Sequence, residues 1–113
     1  MRQFYPFILP LFLFGCGVAI NTQIFVKRPV LNFDEHVEVF ETFEDAPDAA
    51  VLVGKSSIGD SGFSTNCNYE VVLQKAKEEA RKAGGNAIKI TEHKKPDILS
   101  SCHRIKFNIL FIE

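Results

Sequence analysis

The sequence carries no excess of charge of either sign. Its 13 Lys and Arg residues and 14 Asp and Glu residues give a formal net charge of −1, and removal of Arg2 with an N-terminal signal would make it −2. Nucleic-acid binding needs basic side chains gathered on one face, opposite the phosphates. A nucleic-acid partner is therefore not expected. The length of 113 residues fits one domain.

Signatures of phosphate and calcium binding are also lacking. Residues 59–62, Gly-Asp-Ser-Gly, contain two glycines but lack the lysine and the spacing of a phosphate-binding P-loop. The acidic residues scattered between Asp34 and Asp48 do not have the spacing of a calcium-binding loop. A solvated acidic edge explains them better than a cation site does.

The histidines and cysteines do not form a recognisable catalytic or zinc motif. No two of His36, His93, His103 and the cysteines are spaced as close zinc ligands. Cys102 and His103 are adjacent, but neighbouring residues of a strand point to opposite faces, so His103 is poorly placed to activate the thiol. We therefore expect a protein that is not an enzyme and holds no metal or cofactor. A metal- or redox-active protein using Cys67, Cys102, His93 and His103 is kept as an alternative.

One long apolar run is present, at the N-terminus. Phe4–Phe14 is an uninterrupted series of eleven apolar residues, and it follows a short positive segment that contains Arg2. A membrane-spanning helix needs about 20 apolar residues, whereas a signal peptide needs about 7–15. Pro6 and Pro10 inside the run would also disrupt a membrane helix. The run therefore indicates a signal peptide, with an uncleaved anchor as the alternative.

The end of this run resembles the lipobox of bacterial lipoproteins. In Leu13-Phe14-Gly15-Cys16, a leucine stands three residues before a cysteine and a small residue directly precedes it. Phe14 departs from the pattern, which usually has a small or β-branched residue there. The resemblance implies a signal peptide over residues 1–15 and a lipidated, palmitate-bearing Cys16. Residues 16–33 would then be a tether with a reach of roughly 20–25 Å.

The cysteine count agrees with this interpretation. Three cysteines leave one over after pairing, and lipidation of Cys16 would leave Cys67 and Cys102 as a pair. Such a pair is expected to close in an oxidising periplasm. The loop of 36 residues, counted inclusively, would contribute about 4 kcal/mol by chain entropy. Two buried thiols are the alternative.

Periodicity predicts one helix and several strands after the tether. The helix is Asn68–Ala83, with Asn68 as N-cap, Gly84-Gly85 as terminator and Glu78–Lys82 as a favourable i,i+4 pair. Its apolar face is Tyr69, Val72, Leu73, Ala76, Ala80 and Ala83, and its charged stripe of Lys75, Glu78, Glu79 and Lys82 is expected to be solvated. The predicted strands are His36–Phe43, Val51–Val53 with Ser56–Ile58, Ala87–Glu92 and Cys102–Ile112, with a further short strand at Ile24–Val26 inside the tether.

These elements predict an α+β domain over residues 34–113. One helix would pack on one face of a three- to four-stranded, mainly antiparallel sheet. In the first strand, Val37, Val39 and Phe43 are expected on one face, with Phe40 opposite. Cys67 precedes the helix and Cys102 opens the last strand, so a bridge between them would tie the N-terminus of the helix to the sheet.

With these residues in view, the domain resembles the RcsF family, outer-membrane lipoproteins that sense envelope stress for the Rcs phosphorelay. The similarity runs from about Val37 to Asn108 and is carried by five short stretches. They are Val37-Glu38-Val39-Phe40, Glu44-Asp45, Gly59-Asp60-Ser61 with Cys67 beyond, Gly85-Asn86-Ala87-Ile88 and Ser101-Cys102-His103-Arg104.

The resemblance implies that Cys67 and Cys102 match one of the family's two structural disulfides. The second is absent, and Glu92 and His93 stand near its expected place. The family acts without catalysis, by contact with outer-membrane barrel proteins and a signalling partner.

The expected function follows from the predicted export and lipidation signals together with the RcsF resemblance. It is a non-enzymatic lipoprotein of the cell envelope, tethered through Cys16 to the lipid bilayer, with its domain in the periplasm and the outer membrane as the expected location. It would bind another envelope protein, either an outer-membrane barrel or an inner-membrane signalling protein, and stress sensing is one such role. A purely structural lipoprotein is a further alternative.

Overall fold

The computed structural model describes residues 19–59, 67–98 and 100–113. The predicted signal peptide and Cys16 lie outside these residues. The described elements are β1 (Ala19–Ile24), β2 (Glu38–Phe40), β3 (Val51–Gly59), α1 (Tyr69–Ala83), β4 (Ala87–Lys94) and β5 (Arg104–Phe111). One helix packs on a sheet, and a disulfide joins Cys67 to Cys102. The predicted α+β class and the disulfide are therefore confirmed.

The sheet has five strands, one more than the upper limit of the prediction. Their order is β1-β3-β5-β4-β2, and every pairing is antiparallel except the parallel pair β2–β4. The additional strand is β1, which lies in the segment predicted to be a tether and pairs with β3 over six residues. It begins five residues before the expected strand at Ile24–Val26. The sheet thus includes part of that segment.

Residues that follow β1 also pack on the domain. The guanidinium of Arg28 lies 3.6 Å from the centre of the Phe111 ring, and its Nε donates to the carbonyl of Gly84. The backbone N–H of Leu31 donates to the carbonyl of Arg81 at 2.9 Å. The helix end and the last strand therefore hold this segment in place.

The strands differ from their predicted extents, β4 and β5 by two residues or fewer at either end and β2 and β3 by more. β2 has only three residues, because the chain turns after Phe40, with the N–H of Glu44 donating to the carbonyl of Glu41. The prediction that Phe43 shares a strand face with Val37 was wrong, since Phe43 lies beyond β2 and is 83% exposed, whereas Val37 is buried. The two short segments predicted around residues 51–58 form one continuous strand, β3, with a bulge between Leu52 and Gly54.

The helix forms as its sequence predicts. The side chain of Asn68 accepts a hydrogen bond from the N–H of Val71, and Gly84 closes the helix at φ 86°, a left-handed conformation that glycine adopts without strain. Small buried alanines let the helix lie close to the sheet. The helical core residues are Val72, Ala76, Ala80 and Ala83, packed against the buried face of the sheet, which includes Val53, Ile58, Ile88, Ile90, Ile105, Phe107 and Ile109.

The charged stripe of the helix is not wholly solvated. Lys82 pairs with Glu79 at 3.1 Å, instead of the predicted Glu78. The side chain of Glu79 is only 13% exposed, because it also accepts a hydrogen bond from Thr22 of β1. β1, most of which was predicted to be tether, is therefore what covers this part of the helix.

The strand directions define two ends of the sheet. At the proximal end, β1 begins (Ala19), β3 and β4 end (Gly59, Lys94) and β5 begins (Arg104). At the distal end the opposite termini of these strands meet, namely Ile24, Val51, Ala87 and Phe111.

Candidate functional site

The disulfide lies at the proximal end, under the first turn of the helix. Cys67 directly precedes the N-cap and Cys102 stands two residues before β5, with their Cα atoms 5.0 Å apart and both side chains buried. The N–H of His103 donates to the carbonyl of Cys67 at 3.1 Å. The bridge joins the helix N-terminus to the sheet, as the sequence predicted.

A bulge in β4 turns His93 towards the helix. Ile90 pairs with Phe107, but Glu92 pairs with Lys106, so one residue, Thr91, is extra. In a regular strand His93, three residues after Ile90, would point to the opposite face. The bulge instead places His93 opposite Ile105, on the buried side of the sheet.

On that side His93 meets an aromatic and ionisable cluster. Its Nε2 lies 2.9 Å from Nδ1 of His103, and its ring stacks on Tyr69 with centroids 4.5 Å apart. The hydroxyl of Tyr69 donates to the carboxylate of Glu41, 2.8 Å from both oxygens. We call Glu41, Tyr69, His93 and His103 the Tyr-His cluster.

The surroundings of the cluster alter two acid–base equilibria. Burial lowers the pKa of His93, and the positive charges of His103 and Lys95 lower it further, whereas Glu41 acts in the opposite direction. Burial also raises the pKa of Tyr69, and its hydrogen bond to Glu41 and the charge of that carboxylate add to the rise. The cluster therefore favours a neutral His93 and a protonated Tyr69.

The two cysteines near the cluster are not free thiols. Cys67 and Cys102 are bonded to each other, so neither sulfur is available as nucleophile or metal ligand while the bond is intact. Within residues 19–59, 67–98 and 100–113, no group of three or more His, Cys, Asp or Glu side chains is arranged to hold a metal ion. His36 precedes β2 near the distal end and is exposed. Of the three histidines, the fold brings together His93 and His103.

Sequence reasoning named both of these histidines but missed Tyr69 and Glu41 as their neighbours. The four residues come from four separate parts of the chain, so no local spacing relates them. The predicted place of Tyr69 on the apolar face of the helix is correct for its ring but does not account for its hydroxyl.

A second feature lies at the distal end, where apolar side chains are partly exposed. The N–H groups of Phe25 and Val26 both donate to the carbonyl of Val53, the bulged residue of β3. Phe25, Val26, Val51 and Leu52 are 41% to 52% exposed. We call these four residues the distal apolar group.

Comparison with known proteins and the hydropathy of the helix give no further information about function. No protein-family model matches the chain, and no curated protein or solved structure shows significant similarity to it. Among the described residues, no helix is long and apolar enough to cross a membrane.

Proposed function

We propose that the protein is a non-enzymatic lipoprotein of the cell envelope, anchored through Cys16, whose domain binds another envelope protein. The observation that carries this proposal is the bridge between Cys67 and Cys102. Of three cysteines, it leaves Cys16 over, directly after the apolar run and the lipobox-like residues. Disulfides persist in exported proteins and are rare in the cytosol. The bridge and the signal-like N-terminus therefore both support an exported protein.

The position of β1 supports a short anchor. Cys16 stands three residues before Ala19, the first residue of β1. Three extended residues span at most about 10 Å. A lipid on Cys16 would therefore hold the proximal end of the sheet at the membrane surface and direct the distal end away from it.

The distal apolar group is then the surface on which a partner would dock. Four apolar side chains that are each about half exposed favour contact with another protein, and at this end they stand clear of the membrane. A signalling protein as the partner would give the stress-sensing role that the RcsF resemblance implies. The metal- or redox-active alternative has less support, because its two cysteines are joined to each other.

The anchor is tested by the intact mass of the membrane-extracted protein, alkylated without reductant. We expect a chain that begins at an acylated Cys16 and carries no alkylated thiol. A chain that keeps residues 1–15 and has three alkylated cysteines would overturn the proposal.

The partner is tested by photo-crosslinking in intact cells. A photoreactive side chain at Leu52 should give one defined adduct that disappears in the Cys16→Ala protein. The same side chain at Gln74, on the exposed face of the helix, is the matched control. Absence of any adduct specific to Leu52 would favour a purely structural lipoprotein.

A further inference from the structure

Residues 92–106, which lie at the proximal end, carry basic charge that the rest of the chain does not share. Residues 92–106 contain four basic residues, Lys94, Lys95, Arg104 and Lys106, and two acidic ones, Glu92 and Asp97, for a net charge of +2 with histidines neutral. The chain without residues 1–15 carries −2, so its remaining residues carry −4. We call the four basic residues the basic rim.

The fold holds this rim in a fixed shape. Arg104 donates to the carbonyls of Cys102 and Lys95, at 3.2 Å and 2.9 Å, and pairs with Asp97 at 3.3 Å. It therefore fastens the loop that joins β4 to β5. Lys94 and Lys106 both pair with Glu92, at 3.6 Å and 3.8 Å, yet their side chains are 62% and 64% exposed. Two lysines share one carboxylate, so the rim keeps an excess of accessible positive charge.

An apolar side chain projects from the same loop. Ile98 is fully exposed, although isoleucine is among the residues most often buried in proteins. It follows Asp97, whose N–H donates to the carbonyl of Ser100 and whose carboxylate accepts a hydrogen bond from the N–H of Ser100. Segments that bind the interface of an anionic membrane combine apolar side chains, which enter the interface, with lysine and arginine, which meet the headgroups.

With a lipid on Cys16, the direction of β1 would bring the membrane next to this surface. β1 begins at the proximal end, and the residues before it lead within about 10 Å to Cys16. An anchor at Cys16 would bring the lipid surface to the end of the sheet that carries the basic rim and Ile98. The charge of the basic rim is opposite to that of an anionic leaflet. The rest of the chain has a net negative charge, which such a leaflet would repel.

We propose that the basic rim and Ile98 dock on anionic lipid headgroups beside the Cys16 anchor, so that the domain stands in one orientation with its distal end outward. This inference rests on the proposed anchoring at Cys16. Docking would present the distal apolar group to partners and leave it unavailable to the lipid.

The sequence has no tryptophan, so a single introduced tryptophan is a fluorescent probe without background. The full lipidated Ile98→Trp protein is reconstituted in vesicles of zwitterionic phosphatidylcholine, with or without anionic phosphatidylglycerol, and with brominated acyl chains as quencher. We expect a blue shift and quenching of the indole in the anionic vesicles, reversal at high salt because exposed charges are screened, and little change in the zwitterionic ones. Phe25→Trp, at the distal end, is the control and should stay unquenched.

Three results would overturn the docking inference. One is an indole at position 98 that is quenched no more than the one at position 25. The second is equal quenching in both lipid compositions, because charge would then play no part. The third is quenching that is undiminished by Lys94→Gln combined with Lys95→Gln, which removes half of the basic rim.

The mass of each reconstituted protein separates this inference from the proposed function. A lipidated Cys16 with an unquenched indole would refute docking and leave the anchor standing. An unlipidated chain would refute the anchor. The docking inference would then fail as well unless the same chain, added to preformed anionic vesicles, still showed quenching at position 98 above the control.

Discussion

His93 and His103 face each other across the β4–β5 connection, with Nε2 of His93 2.9 Å from Nδ1 of His103. One of these nitrogens has to carry a hydrogen and the other has to accept it. The contact is therefore compatible with neutral rings or with one shared positive charge, but not with two protonated rings. Acidification should act on the fold through this pair.

We expect the free energy of unfolding to fall as the pH drops below 6.5, the ordinary pKa of His93. The folded pKa is lower than that value, so the unfolded chain takes up the proton first. The stabilisation is complete above 6.5, is lost as the pH falls through the folded pKa, and changes no further below it. Urea unfolding across this range, followed by circular dichroism, measures the slope.

His93→Gln should flatten this part of the profile, because the group whose pKa differs between the two states is gone. His36→Gln is the matched control, since His36 is exposed and lies outside the Tyr-His cluster. Equal slopes for the wild type and His93→Gln would show that the pair does not govern acid stability.

Tyr69→Phe should destabilise the domain by about 1 kcal/mol, because one hydrogen bond to a partly solvated carboxylate is lost. The ring and its stacking on His93 remain, so the change isolates the hydroxyl. Glu41→Gln keeps an oxygen acceptor and should cost less. A Tyr69→Phe protein as stable as the wild type in urea would mean that water replaces this bond without loss.

The parts of the fold that sequence predicted are those with local causes. The helix follows from apolar spacing, from Asn68 as a cap and from Gly84 as a terminator, all within one short segment. The disulfide followed from counting three cysteines once Cys16 was assigned to lipid. Each of these inferences needed no knowledge of which strands are neighbours.

The parts that sequence missed depend on strand partners. In β1, Ile20, Thr22 and Ile24 lie on the face towards the helix. The polar Thr22 interrupts the apolar alternation that would have predicted a strand, and only the structure shows that its hydroxyl is hydrogen-bonded to Ser56 and Glu79. The bulge at Thr91 exists only relative to the register of β5. No periodicity within β4 indicates that His93 shares a face with Ile90.

The pairing of β1 with β3 can be tested at a glycine. A Cβ at Gly54 would overlap the carbonyl oxygen of Gln23, whereas one at Gly59 would have no atom of the described residues within 4 Å. Gly54→Ala should therefore push β1 away, reduce stability by about 1–3 kcal/mol as overpacking does, and speed amide exchange in residues 19–24. Gly59→Ala is the control and should leave exchange unchanged. Rapid exchange of β1 in both the wild type and Gly54→Ala would instead indicate a free tether.

The bridge is expected to supply a large share of the stability of so small a domain. Replacing Cys67 and Cys102 together by serine opens a loop of 36 residues, counted inclusively. The greater entropy of the unfolded chain should then lower the free energy of unfolding by about 4 kcal/mol. The same change disconnects the start of the helix from β5, so Tyr69 and His103 should lose their fixed positions as well.

Urea unfolding without reductant measures the loss of stability, and Cys16→Ala is the control that removes a cysteine without touching the loop. That control should keep the wild-type midpoint while leaving the membrane fraction. A midpoint that is the same in the serine protein as in the wild type would show that the two sulfurs are not joined in the protein as it is made.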